Sequence, residues 1–408
     1  MRAEVKRQQH RAAQQPNWDD PRRLAEVRDV LSAARPLVSA DQIATLRRSL
    51  ELVVDGKALI LQTGDCAEHP DECGEPHIAA KSRLVHGLAD LLGARSGLPV
   101  VRVGRIAGQF AKPRSNPVEE IDGQLPLPAY RGHMVNLPEP DTHSRRADPS
   151  RMVMCFMTAR ETMRHLGWRT DGDPAGRDIE SPIWTSHEAL LMDYEQPQLR
   201  RLDNSRWMLG STHWPWIGER TRQLDGAHVA LLSEVVNPVS CKVGPTTTPD
   251  ELLDLCERLD PRREPGRLTL IARMGAEVIA DRLPALVRAV RDDGRPVLWL
   301  SDPLHGNTVR RADGTKTRVV ATVVDEVREF LSVLDEAGVP AHGLHLEASP
   351  YAVAECLGGA TSTLPTAVGA PSLCDPRLDT GQAAEVVSVW PRAGTSRRRS
   401  VLTRQRSS

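Results

Sequence analysis

Short, wholly apolar runs recur along this chain, each breaking off into polar, turn-forming residues and most followed by helical periodicity. The sharpest is Val297-Leu298-Trp299-Leu300, which ends in Ser301-Asp302-Pro303-Leu304-His305-Gly306-Asn307-Thr308. Too brief for a helix, such a run reads as a strand buried on both faces, as in a parallel sheet wrapped by helices. Ala58–Leu61, Val100–Val103, Ser240–Val243, Leu268–Ala272 and Gly343–Leu346 repeat the pattern, and further apolar pieces lie around Trp207, Trp216 and Val229–Leu232. Helices are predicted near Ile78–Leu92, over 150–166, from Ser186 to Leu199, up to Val290 and near Thr322–Ala337. Another helix opens at Thr248, where Thr-x-x-Glu to Glu251 reads as a capping box. Residues 120–150 are a Pro/Gly-rich loop.

Strands alternating with helices imply parallel pairing through right-handed crossovers. About eight such units over roughly 330 residues fit an α/β chain built as a closed (β/α)8 TIM barrel. A doubly wound open sheet is the alternative; the absence of GxGxxG and GxxxxGK[ST] weakens a nucleotide-binding version of it. Residues 1–55 read as an N-terminal helical extension, one helix opening at Asn17 or Asp19 with Pro21 and a second at Ala40-Asp41. Their Arg-rich faces suggest helices lying on a larger body, at a subunit contact, so a homo-oligomer (dimer or tetramer) is expected. Residues 56–393 are expected to form the barrel, and 394–408 a basic, Ser/Arg-rich, disordered tail.

Composition removes several partner classes. A formal net charge of −1 over 408 residues gives no global attraction to nucleic acid or to a membrane surface. No run approaches the roughly 20 apolar residues of a membrane span, and the charged start lacks a signal peptide's apolar core, so a cytoplasmic location is expected. The seven cysteines are odd in number and scattered without a CxxC pair. That is neither a secreted disulfide framework nor a structural zinc site.

On a barrel, the residues that end the strands converge on one rim. Here they include the basic residues Arg105, Lys112, Arg114, Arg220, Lys242 and Arg273. Guanidinium forks and point-charge lysines gathered around a cavity suit a phosphorylated, carboxylated substrate. Lys242, embedded in a strand, needs a charge partner; it could equally be a Schiff-base nucleophile. His305 stands where its strand ends, with Gly306 behind it to let the backbone approach a ligand. Cys66, His305, Glu347 and, in a late loop, Asp375 mix soft and hard donors. That set suits a divalent transition metal such as manganese, cobalt, iron or zinc better than magnesium or calcium.

Twelve blocks carry a resemblance that runs nearly the whole length: QQPNW (14–18), LQTGDCAE (61–68), RIAGQFAKPRS (105–115), YRGHMVN (130–136), SHEALLMDYEQ (186–196), WIGERTRQLDGAH (216–228), NPVSCKVGPTTTP (237–249), GRLTLIARMG (266–275), SDPLHGNT (301–308), HLE (345–347), ECLGG (355–359) and CDPRLDT (374–380). In this order they resemble the class II 3-deoxy-D-arabino-heptulosonate 7-phosphate (DAHP) synthases, metal-dependent barrels that open the shikimate pathway by condensing phosphoenolpyruvate with erythrose 4-phosphate. The resemblance implies Cys66, His305, Glu347 and Asp375 as metal ligands. It implies that Arg105, the backbone at Glu219, Arg220, Lys242 and Arg273 hold phosphoenolpyruvate, with Lys112, Arg114 and Ser115 near the reacting centre and the sugar phosphate. Lys242 then acts as a charge partner, and Lys112 is the candidate acid for the emerging hydroxyl.

Departures from the family pattern matter too. The stretch between Met157 and Ser186 is short and Gly/Asp-rich where longer relatives carry feedback-control helices, so weak or absent inhibition by tryptophan or phenylalanine is expected. His133 stands where an acid is expected, which affects sugar recognition. Cys374, beside Asp375, is expected to form an inactivating disulfide with Cys66 when metal is absent. The rival readings are an amino-DAHP synthase that takes an imino analogue of erythrose 4-phosphate, and a degenerate barrel acting as a regulatory partner. The presence of all four ligands argues against the second.

Overall fold

The computed structural model describes residues 10–120, 126–168, 182–359 and 375–394. Eight parallel strands form its centre: β1 (Leu59–Gly64), β2 (Val100–Arg105), β3 (Ile183–Thr185), β4 (Trp216–Ile217), β5 (Val239–Val243), β6 (Leu268–Ala272), β7 (Leu298–Ser301) and β8 (Gly343–Glu347). Their order in the sheet is β3-β2-β1-β8-β7-β6-β5-β4, a cyclic permutation of chain order. The remaining gap, between β3 and β4, is bridged just past β3. There the Trp216 N–H donates to the His187 carbonyl and the Ala189 N–H to the Trp216 carbonyl, each at 3.0 Å. The result is a closed (β/α)8 barrel. Every residue of β1 and of β5 to β8 is buried, because one face fills the interior and the other lies under helices.

Around the barrel run α1 (Pro21–Ala33), α2 (Ala40–Val54), α3 (Glu75–Ser96), α4 (Ser150–His165), α5 (Ala227–Ser233), α6 (Pro249–Leu259), α7 (Ile279–Asp292), α8 (Val320–Glu336) and α9 (Thr380–Val387). Ser39 and Gln42 cap α2 reciprocally. At α6 only half of the expected box forms: Thr248 accepts the Glu251 N–H, while the Glu251 carboxylate pairs with Arg222. Val27 and Leu31 of α1 and Ile43, Leu46 and Leu50 of α2 share one apolar cluster with Ile60, Val103 and Ile183 of the barrel. Among the described residues no helix is long and apolar enough to cross a membrane.

Two sequence expectations are corrected. Ser186–Leu199 is not one helix: a loop leaves β3 and only single turns form at Met192–Glu195 and Gln196–Gln198. Its backbone is committed elsewhere, to Trp216 at the barrel seam and, through the Glu188 N–H, to the Gln109 side chain. Val229–Leu232, read with the strand-like apolar pieces, lies in α5. That helix is buried all round from Ala227 to Leu232, so its sequence shows no polar face to reveal the helical period.

His342, just before β8, is buried and accepts the Trp299 N–H through Nδ1 at 2.9 Å, which requires the neutral ring. Burial pushes its pKa down to about 4. A depressed histidine contributes stability above its unfolded pKa of roughly 6.5 and loses that contribution as pH falls towards the folded value. Urea unfolding from about pH 7 to about pH 5 should therefore show falling stability. His342→Gln should flatten the slope by about 1 kcal/mol per pH unit.

Candidate active site

The carboxyl ends of the strands surround a cavity of about 750 Å³. Cys66 reaches it from the end of β1, Arg105 from β2, Glu188 from the loop after β3, Trp216 and Arg220 from β4 and its loop, Lys242 from β5, His305 from the loop after β7 and Glu347 from β8. Lys112, Arg114 and Ser115 line it from the loop after β2, and Asp375 from the loop before α9.

Arg105 is oriented by a chain of hydrogen bonds through the barrel interior. Its Nη1 lies 2.8 Å from His345 Nε2. Since a guanidinium can only donate, His345 accepts there and donates from Nδ1 to Gln62 Oε1 at 2.8 Å. Gln62 in turn donates to the Ser186 hydroxyl, which donates to the Trp214 carbonyl. Burial and the neighbouring Lys242 and Arg105 cations hold His345 well below the usual histidine range, consistent with that neutral tautomer. The Arg105 guanidinium also sits over the Trp216 ring, 5.2 Å from its centroid.

Two buried carboxylates anchor the cations. Glu347 is bound by Arg105 at 2.9 Å and Arg318 at 2.8 Å, with His305 Nε2 at 3.2 Å. Burial alone would raise its pKa, but those three groups hold it well below the carboxylate range. Asp302 accepts from Lys242 Nζ at 2.9 Å and meets His305 Nδ1 at 2.7 Å. Burial again opposes ionisation there, and His305 and Lys242 overcome it. Asp375 pairs with Lys316 at 2.7 Å and Lys112 at 3.5 Å. Glu188 differs. Burial raises its pKa despite Lys242 and Arg220 nearby, and its Oε1 is shut from water without a hydrogen-bond partner. A Cβ on Gly218 would lie 2.0 Å from that oxygen, so a side chain there would push the Glu188 carboxylate out of its present position.

Of the residues expected from the sequence, all but Glu219 and Arg273 line this cavity. Arg273 stands behind it, donating to the His305 carbonyl at 3.0 Å. Glu219 turns its carboxylate to Arg222 at 3.1 Å. Gly306 also serves the packing of the rim: a Cβ there would lie 2.3 Å from the Gly275 nitrogen in the loop after β6. His133 is outside the cavity lining, packed between His69 and Tyr130. Cys374 lies outside the described residues.

Sequence reasoning missed Asp302, Arg318, Glu188 and Trp216 as parts of the site. Asp302 had a usable signal, its i,i+3 spacing to His305 across a turn, whereas Arg318 lies between a two-residue hairpin strand, Lys316–Thr317, and α8, not at the end of a barrel strand.

Among the described residues no three or more His, Cys, Asp or Glu side chains stand close enough together to hold a metal ion. The expected donors form two pairs on the cavity wall, Cys66 Sγ with Asp375 Oδ2 at 3.7 Å and His305 Nε2 with Glu347 Oε1 at 3.2 Å. Their chemistry fits a divalent transition ion: thiol, imidazole and two carboxylates held ionised, with Asp302 bonded to His305 Nδ1 so that Nε2 faces the cavity.

A closed barrel whose strand ends bring guanidinium, ammonium, thiol, imidazole and carboxylate groups to one cavity has the build of a barrel enzyme for a multiply anionic substrate. The chain belongs to the class II DAHP synthetase family, whose sequence profile matches residues 3–181 and 176–389. It is 52% identical to a probable phospho-2-dehydro-3-deoxyheptonate aldolase of Pseudomonas fluorescens over 93% of this chain and 94% of that protein. It is 40% identical to the phospho-2-dehydro-3-deoxyheptonate aldolase AroG of Mycolicibacterium smegmatis over 92% and 91% of the two chains. The fold matches a solved phospho-2-dehydro-3-deoxyheptonate aldolase from Francisella tularensis at 14% identity and a TM-score of 0.52, covering 89% of this chain and 96% of that one.

Replacing Asp302 by Asn leaves the buried Lys242 ammonium without its carboxylate. Breaking a buried pair from one side costs about 3–5 kcal/mol, so Asp302→Asn should unfold at correspondingly lower urea concentration than the wild type in ligand-free solution.

Proposed function

We propose that this chain condenses phosphoenolpyruvate with erythrose 4-phosphate and water to give DAHP and phosphate, the step that opens the shikimate pathway. The observation that carries this reading is the convergence of Arg105, Arg220 and Lys242 with Cys66, His305, Glu347 and Asp375 on one cavity. Arg105 and Arg220 would grip the anionic groups of phosphoenolpyruvate by their guanidinium forks. Lys242 would add point charge, its ammonium kept in place by Asp302 rather than consumed as a nucleophile. Arg273 would act from behind, by fixing the His305 backbone. Lys112, Arg114 and Ser115 would receive the sugar phosphate; Arg220 Nη2 already reaches the Ser115 hydroxyl at 2.8 Å.

In the reaction, C3 of phosphoenolpyruvate attacks the aldehyde carbon, water adds at C2, and phosphate leaves by cleavage of the C2–O bond. Lys112, on the cavity wall, would give a proton to the emerging hydroxyl, and Glu188, a carboxylate with raised pKa that also lines the cavity, would take one from the water through the oxygen other than its buried Oε1. A manganese, cobalt, iron or zinc ion held by Cys66, His305, Glu347 and Asp375 would supply Lewis-acid polarisation of the aldehyde oxygen. Holding both reactants in register matters as much, because C3 is a weak nucleophile. The short stretch between Met157 and Ser186 supports an enzyme without aromatic feedback control, one that feeds a specialised aromatic product.

Chelated protein should consume no phosphoenolpyruvate in the presence of erythrose 4-phosphate, and added manganese should restore consumption in the wild type but not in His305→Ala. Absence of consumption with any divalent metal would overturn the reading. In the same assay, saturating tryptophan or phenylalanine should change the rate by less than about two-fold, a free-energy effect under roughly 0.5 kcal/mol; strong inhibition by either would remove the proposed lack of control.

A further inference from the structure

Before its first helix the chain crosses the catalytic rim. The Arg11 carbonyl accepts the Ala227 N–H at the start of α5, and His10 Nδ1 lies 2.8 Å from the Asp225 carbonyl. Gln15 holds the loop after β3, donating to the Leu190 carbonyl and accepting the Met192 N–H, each at 2.9 Å. Trp18 Nε1 donates to Asp193 in the same loop at 2.9 Å. Between these contacts stands Gln14. Its Oε1 accepts the Arg114 backbone N–H at 2.9 Å, and its carbonyl accepts from the Arg131 guanidinium at 3.2 Å. Gln14 has φ +62°, the left-handed region that residues other than Gly, Asn and Asp seldom occupy and that persists where the surroundings over-determine it. One short segment therefore pins the loops after β2, β3 and β4, which carry Arg114 and Ser115, Glu188, and Arg220.

We infer that His10–Trp18 is a clasp that sets the aldose-phosphate end of the cavity, with Gln14 as the positioning residue for Arg114. The hydrogen bond from the Arg114 backbone N–H to the Gln14 side-chain oxygen fixes where the Arg114 side chain starts. Its guanidinium, shared with Glu119, is thereby held at the cavity edge. The identity of the substrate at that end rests on the function proposed above; the mechanical coupling does not.

Two readouts on the full-length protein separate those claims. Amide hydrogen exchange at Arg114 should speed up in Gln14→Ala and stay slow in Gln14→Glu, which keeps an acceptor oxygen. It should also stay slow in Gln15→Ala, which removes the bonds to the Leu190 carbonyl, the Met192 N–H and the Ala13 carbonyl but none to Arg114. In steady-state assays Gln14→Ala should raise KM for erythrose 4-phosphate about five-fold, the weight of one hydrogen bond, with KM for phosphoenolpyruvate unchanged. Unaltered exchange at Arg114 in Gln14→Ala, or an equal rise in both KM values, would overturn the clasp. If the wild type turned over no aldose phosphate, the substrate reading alone would fall and the exchange readout would decide the coupling.

Discussion

Charge burial is the constraint that the site depends on. Glu347 and Asp302 have no exposed surface at all, and Arg105, Arg318 and Lys242 are nearly as enclosed. An isolated buried ion costs several kcal/mol, so each must be matched. Glu347 is placed between two guanidiniums, and Asp302 between an ammonium and an imidazole. These pairings fix the cations before any ligand arrives, and such preorganisation is what makes fixed charge effective in a water-poor cavity. The hydrogen-bond chain from Arg105 through His345, Gln62 and Ser186 extends that fixation across the barrel to β3 and its seam with β4.

Much of the barrel was legible because strands buried on both faces leave continuous apolar runs, as at Leu298–Ser301 and Leu268–Ala272. The exceptions have physical causes. β3 and β4 are only three and two residues long, and their junction is completed by His187 and Ala189, whose backbones do the pairing and whose side chains carry no strand signal. The segment from Ser186 has helical composition but spends its N–H groups on Gln109 and Trp216. Tertiary partners overrode local preference there.

The rim residues were legible by type and position: a cation or a donor group directly after an apolar run. What sequence position could not reveal is who faces whom. Arg318 pairs with Glu347 across 29 residues and Lys242 with Asp302 across 60. The N-terminal segment is the extreme case, since Gln14 meets Arg114 across 100 residues and Gln15 meets Met192 across 177. QQPNW was visible as a motif, and nothing within it indicated that it closes over a rim assembled much later in the chain.

The same cations serve two tasks, which ties those tasks together. Arg105 neutralises Glu347 while lining the cavity, and Lys112 and Lys316 do the same for Asp375. The groups suited to bind an anionic substrate are thus the groups that keep the donor carboxylates ionised. An anion drawn to Arg105 or Lys112 competes with a carboxylate for that cation, and a cation held by Glu347 or Asp375 relieves the competition. If the proposed metal binds here, anion and metal affinity would be linked through these shared partners, and by thermodynamic necessity that linkage would be reciprocal.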